Sequence, residues 1–104
     1  MLRIFRRESA ERDLLMHFVY LAEEAGIETA DTFLACAEQT VEELAQMPMM
    51  GTPVVSRRAE LAGVRKWRVR NYENVLLFYI ALPDRIEILR AIHAARDWAS
   101  ILGL

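Results

Sequence analysis

A single cysteine, Cys36, leaves the chain without an internal disulfide, which favours a reducing compartment over an oxidising one. Two histidines beside that cysteine are too few for a structural metal site, so no metal is expected. There is no glycine-rich phosphate loop, no zinc-ligand spacing and no nucleophile elbow, and no cofactor is implied. No run approaches the ~20 apolar residues that a membrane span requires. The amino-terminal segment MLRIFRRESAERD carries charge where a signal peptide needs its apolar stretch. Repeats, low-complexity tracts and linker-like stretches are also lacking. A soluble cytoplasmic domain with no membrane partner is the expectation.

What is present is enough for one core. At 104 residues, with apolar types making up 54%, the chain should fold as a single domain, residues 1–104. Its formal charge of −2 hides an uneven distribution. Residues 1–50 carry four basic and ten acidic side chains, whereas residues 51–104 carry nine basic and five acidic ones. That asymmetry points the basic half toward an anionic partner, either nucleic acid or an acidic protein segment.

Local patterning predicts the elements. Residues 2–6, LRIFR, alternate as a short strand does. Ser9 can cap a helix with Glu11 and Asp13 in its first turns, and Leu14, Leu15, Phe18, Leu21, Ala22 and Ala25 follow helical spacing up to Gly26. Thr29 can cap a second helix whose apolar stripe runs through Phe33, Ala37, Val41 and Leu44 until Pro48. Residues 48–63 read as loop. VRKWRVR alternates, with Trp67 and Val69 on one face and Lys66, Arg68 and Arg70 on the other. NYEN supplies a turn, VLLFYIAL a central strand apolar on both faces, and PDR a second turn. In IEILRAIH, alternation puts Ile86, Ile88, Arg90 and Ile92 on one face and Glu87, Leu89, Ala91 and His93 on the other. Asp97 can cap a short terminal helix. The order is β-α-α-β-β-β: an α+β domain with an antiparallel two-helix hairpin on one face of an antiparallel sheet, plus a short C-terminal helix.

Few side chains suggest chemistry. Lys66, Arg68 and Arg70 form either a solvated strand face that discourages edge pairing or an anion- or protein-binding surface, extended by Arg57 and Arg58 and by Arg65 on the same strand. Arg90 shares its predicted face with three isoleucines; its stem can lie over them while its guanidinium pairs with Glu87, Asp84 or Asp97. His17, between Met16 and Phe18, reads as a hydrogen-bonded helix residue. His93 and Arg96 have the types of a general acid and a charge stabiliser, yet no third member completes a cleavage site. A hydrogen-bonding strand terminus is the plainer reading.

The segment GVRKWRVRNYENVLLFYIALPDRIEILRAIHAARD, residues 63–97, resembles the carboxyl-terminal half of the RelE/ParE toxin superfamily of bacterial toxin–antitoxin modules. The upstream SAERDLLMHFVYLAEEAGIETADTFL and ELAQMPMMG resemble its helical hairpin and exit. The likeness rests on an ordered set of AERD-L, P-x-x-G, L-x-G-x-R, Y-E-N-x-L-x-F-Y and I-L-R-x-x-H-x-A-R-D. The resemblance implies an antitoxin that wraps the domain, and either of two activities. RelE-like members cleave messenger RNA on the ribosome, whereas ParE-like members bind and inhibit DNA gyrase. Y-E-N-x-L-x-F-Y and H-x-A-R-D are similar to the ParE side. Glu73 follows Tyr72 where many cleaving members have arginine, and no tyrosine follows Tyr79. A ParE-like gyrase-binding toxin is therefore expected, with Arg65, Lys66, Arg68, Arg70, Arg90, His93 and Arg96 as partner-binding candidates. The alternatives are a ribosome-dependent endoribonuclease using Arg68, Arg70, His93 and Arg96, or a non-toxic relative that only binds antitoxin. A homodimer or a toxin–antitoxin heterotetramer is also compatible with the resemblance.

Overall fold

A computed structural model describes residues 2–103. Strand β1 (Arg3–Arg6) leads into helix α1 (Glu8–Ala25), which is joined to α2 (Ile27–Gln46) by Gly26 alone. A joint of one residue forces the backbone through φ = +97°, which glycine tolerates and other residues resist. Neither helix starts at its predicted capping residue. Helix α1 starts before Ser9, whose hydroxyl bonds a neighbouring strand instead, and α2 starts before Thr29, whose hydroxyl donates back to the Ala25 carbonyl.

After α2 come β2 (Thr52–Pro53), a 3-10 turn (Ala59–Leu61), β3 (Val64–Val69), β4 (Tyr72–Ala81), β5 (Arg85–His93) and α3 (Trp98–Leu102). The segment predicted as loop thus contributes a two-residue edge strand. The β3–β4 turn is made by Arg70 and Asn71, with Asn71 at φ = +66°, so Tyr72, Glu73 and Asn74 belong to β4 and not to the turn. Asp97 does cap α3: its carboxylate accepts the Ser100 amide at 3.3 Å and the Ser100 hydroxyl at 2.7 Å.

The five strands are ordered β1-β5-β4-β3-β2. All pairs are antiparallel except β1–β5, which is parallel, so the sheet is mixed and not wholly antiparallel as predicted. The helical hairpin is the cause. It returns the chain to the end where β1 began, the Leu2 amide meeting the Ala45 carbonyl at 3.2 Å. Strand β3 therefore leaves in the direction of β1, β4 reverses, and β5 again runs with β1.

The core has two parts. Phe33, Ala37, Val41 and Leu44 of α2 and Ala10 of α1 pack on Val69, Leu77, Tyr79, Ile86, Ile88 and Ala91. On the opposite face Val64, Phe78, Leu89 and Ile92 are covered by Trp98, Ile101 and Leu102 of α3 with Val54 and Leu61. That face is therefore roofed by the chain itself, which explains why β4 is apolar on both sides. Burial of this kind is worth about 25 cal/mol per Å².

Two bulges break the predicted alternation. Between Phe78 and Tyr79 of β4 the register skips Leu89, so both Leu89 and Arg90 fall opposite Phe78. Ile86 and Ile88 face the helices, while Ile92 joins the α3 side. A second irregularity lies between Arg68 and Val69 of β3. Leu15, predicted inward, is 60% exposed, because the buried side of α1 runs through Leu14, Phe18 and Leu21.

Candidate partner-binding surface

The outer edge of β5 shows how the sequence signature is used. Strand β1 is so short that it covers β5 only from Arg85 to Ile88. Beyond that point the bare backbone groups must find other partners, because a buried unpaired group costs free energy. Helix α1 supplies them at four-residue spacing, from one line of side chains. The Ser9 hydroxyl donates to the Leu89 carbonyl at 2.8 Å, Asp13 accepts the Ala91 amide at 2.9 Å, and His17 Nε2 donates to the Ala91 carbonyl at 2.9 Å. Asp13 also holds Arg90 through both oxygens, at 2.6 and 3.1 Å. That ion pair keeps the Arg90 guanidinium more firmly protonated than usual. Arg90 therefore pairs with α1, not with Glu87, Asp84 or Asp97. Glu87 instead bridges Arg7 and Arg85, and the Arg7 hydrogen bond foremost holds its carboxyl below the usual carboxylate range.

A second knot ties the exit of α2 to the sheet. The buried Tyr79 hydroxyl donates to the Pro48 carbonyl at 2.7 Å and accepts the Gly51 amide at 2.9 Å; burial pushes its pKa up. A Cβ on Gly51 would lie 2.5 Å from that hydroxyl, so glycine is needed for the close approach. Arg65 donates to the Gly51 carbonyl at 2.6 Å and to that of Met49 at 3.3 Å. Asp13 of A-E-R-D thus binds Arg90 of I-L-R, and Arg65 of L-x-G-x-R binds Gly51 of P-x-x-G. Arg65 and Arg90 serve the fold.

The remaining candidates collect at one end of the sheet, where Arg68, Leu76 and Ile92 stand side by side on three strands. Of the predicted stripe, Lys66 and Arg68 line one groove with Leu76, and Arg70 departs from it. Lys66 sits over the Trp98 ring, 4.4 Å from its centre. Arg68 lies over Trp67 at 4.7 Å with Glu73 at 4.0 Å, and past the irregularity Arg70 turns toward α2 to meet Glu43 at 2.8 Å. Trp67, Arg68, Arg70, Glu43 and Glu73 line a cleft of about 280 Å³. His93 and Arg96 line another, of about 190 Å³, with Asp13, Met16 and His17. Nδ1 of His93 accepts the Ala95 amide at 3.1 Å, and Arg96 has no side-chain partner among the described residues. In the loop, Arg58 pairs with Glu60 and donates to the Gly103 carbonyl.

The arrangement suits exchange of partners. The side chains of Arg68 and Arg70 remain half exposed, at 51% and 52%, and exposed pairs of this kind are worth about 1 kcal/mol or less. A carboxylate from outside can replace the exposed Glu73 at little cost, whereas the Glu43 oxygen that meets Arg70 is buried and depends on that ion pair. Strand β2 pairs only with Arg65 and Lys66, so the outer edge of Trp67–Val69 has no neighbouring strand among the described residues. Sequence reasoning missed Trp67, Glu43 and Glu73 as companions of these cations, because the bulge that gathers them leaves no mark in the pattern. Among the described residues no group of three or more histidine, cysteine, aspartate or glutamate side chains could hold a metal, and no helix is long and apolar enough to cross a membrane.

The fold is a helical hairpin and a short α3 on opposite faces of a mixed five-stranded sheet with an open strand edge. A chain of the chromosomal ParDE TA system from P. aeruginosa shares it, at 20% identity and a TM-score of 0.73, over 89% of this chain and 96% of that one. A conserved hypothetical protein from Helicobacter pylori, solved in solution, is more distant: 16% identity and a TM-score of 0.55, over 92% and 98% of the two chains. No curated protein matches. The family described as "ParE toxin of type II toxin-antitoxin system, parDE" matches residues 4–98, and the chain belongs to it.

Proposed function

We propose that the chain is the toxin of a type II toxin–antitoxin pair and arrests growth by binding DNA gyrase, without bond-breaking chemistry of its own. An antitoxin neutralises it by laying an acidic segment along the free edge of β3, where its carboxylates meet Arg68 and Arg70. The supporting observation is how the four groups a nuclease would use are held. Arg68 and Arg70 face Glu73 and Glu43 in one cleft, whereas His93 and Arg96 line another beside α1. Strands β3 and β5 are about 10 Å apart across β4, and as held here the two sets of side chains open into separate clefts and do not converge on one point. The net charge of −2 also gives little attraction to a phosphate-rich ribosomal site.

The test is to induce the chain alone in cells and to examine plasmid topology and message together. Accumulation of relaxed plasmid with uncut message is the expected result, and co-expression of the antitoxin should restore growth. Message cut at the ribosomal A site, with topology unchanged, would replace this reading with the endoribonuclease one.

A further inference from the structure

Helix α1 is apolar on two sides. Its inner side packs in the core, yet on its outer side Leu15, Met16, Val19 and Tyr20 are 60%, 65%, 46% and 63% exposed and line a shallow groove of about 310 Å³. Helical spacing stacks these four as one stripe. Arg12 continues the stripe at its amino end and Glu23 at its carboxyl end. Arg12 is 66% exposed and has only Glu8 near it, at 3.6 Å; Glu23 has no ion-pair partner among the described residues. A stripe of this composition is exposed for a reason other than folding.

Its order reads the same from either end with the charge inverted. About a midpoint between His17 and Phe18, Leu15 corresponds to Tyr20, Met16 to Val19, and Arg12 to Glu23. Two such helices laid antiparallel across a two-fold axis place apolar on apolar in the middle and Arg12 on Glu23 at both ends. The ends are about 16 Å apart at 1.5 Å per residue, identical in each copy, so both pairs form at once. Glu11 and Glu24 lie roughly a third of a turn off the stripe and stay in solvent. An anionic lipid surface would be repelled by the four glutamates that flank a single arginine on this helix.

We propose that the outer face of α1 is a self-association surface, and that its occupant is the α1 of a second copy of this chain in antiparallel register. One helix face is at the small end of specific interfaces, so the dimer is weak and depends on concentration.

Sedimentation of the purified full chain, free of antitoxin, tests this across a concentration series. The mass should rise from 12.0 kDa toward twice that value. Glu23→Arg or Arg12→Glu puts like charges together at both ends and should weaken association about ten-fold, with the far-ultraviolet dichroism unchanged. The double variant R12E/E23R restores both pairs in exchanged form, and its affinity should return to within about three-fold of the parent. A chain that stays monomeric up to millimolar concentration overturns the proposal. So does a double variant as weak as the singles, because a face built for the antitoxin, whose charges are fixed, would not recover on exchange.

Discussion

Removing the Asp13 carboxylate separates a structural role for the signature residues from a functional one. Asp13 is 14% exposed and Arg90 28%, and the two share a pair of hydrogen bonds, while the same carboxylate accepts the Ala91 amide. Asp13→Ala leaves a largely buried guanidinium without its counter-charge and a strand amide without an acceptor. Breaking a buried ion pair from one side costs roughly 3–5 kcal/mol, and Arg90 can still reach some water, so a loss of about 3 kcal/mol is expected. In a domain of this size each kcal/mol lowers Tm by roughly 4–8 °C, giving a fall of about 12–24 °C in a calorimetric scan. Asp13→Asn keeps an acceptor for Ala91 and should lose about half as much. In the cycle with Arg90→Ala the two losses should fail to add by more than about 1 kcal/mol. A loss below about 1 kcal/mol for Asp13→Ala, or strict additivity, would refute the view that α1 caps the bare edge of β5.

Three other outcomes follow from the geometry. Tyr79→Phe strands the Gly51 amide and the Pro48 carbonyl, and urea unfolding should show a loss of about 2–3 kcal/mol. Charge reversal at Arg68, whose pair with Glu73 is exposed, should weaken antitoxin or target binding by calorimetry while changing stability by less than about 1 kcal/mol; at Arg70 it should weaken binding and also cost about 1–3 kcal/mol, because the buried Glu43 oxygen loses its cation. The Glu87 carboxyl is held low by Arg7 and Arg85, so its contribution is present above the unfolded value near 4.5 and is lost as pH falls through the lower folded value. Glu87→Gln should therefore be less stable than the parent at neutral pH and should flatten its acid limb below about pH 4.5.

The periodic parts of the fold were legible because their cause is local. The stripe Phe33, Ala37, Val41 and Leu44 is buried as spaced, and β4 is apolar on both faces because two layers cover it. Features set by a partner strand were not. The irregularities at Leu89 and at Arg68–Val69 arise where two strands of unequal path are paired; the first puts Leu89 and Ile92 on one face, which simple alternation denies them, and the second leaves Arg70 in the turn, free to reach α2. The cations predicted as one stripe are accordingly divided among Trp98, Glu73 and Glu43. Helix α1 misled for another reason: with apolar residues on two sides, nothing local says which side is the core, and Leu15 was assigned inward. The signature of spaced motifs proved legible as a set because its members meet as Ser9 with Leu89, Asp13 with Arg90, and Tyr79 with Pro48 and Gly51.

The target is tested most directly with purified components: the chain titrated into a gyrase supercoiling reaction, beside a parallel reaction of programmed ribosomes. Loss of supercoiling in proportion to added chain, reversal by antitoxin, and intact message are the expected results. Undiminished supercoiling at saturating chain, with message cleaved on the ribosomes, would contradict gyrase as the target.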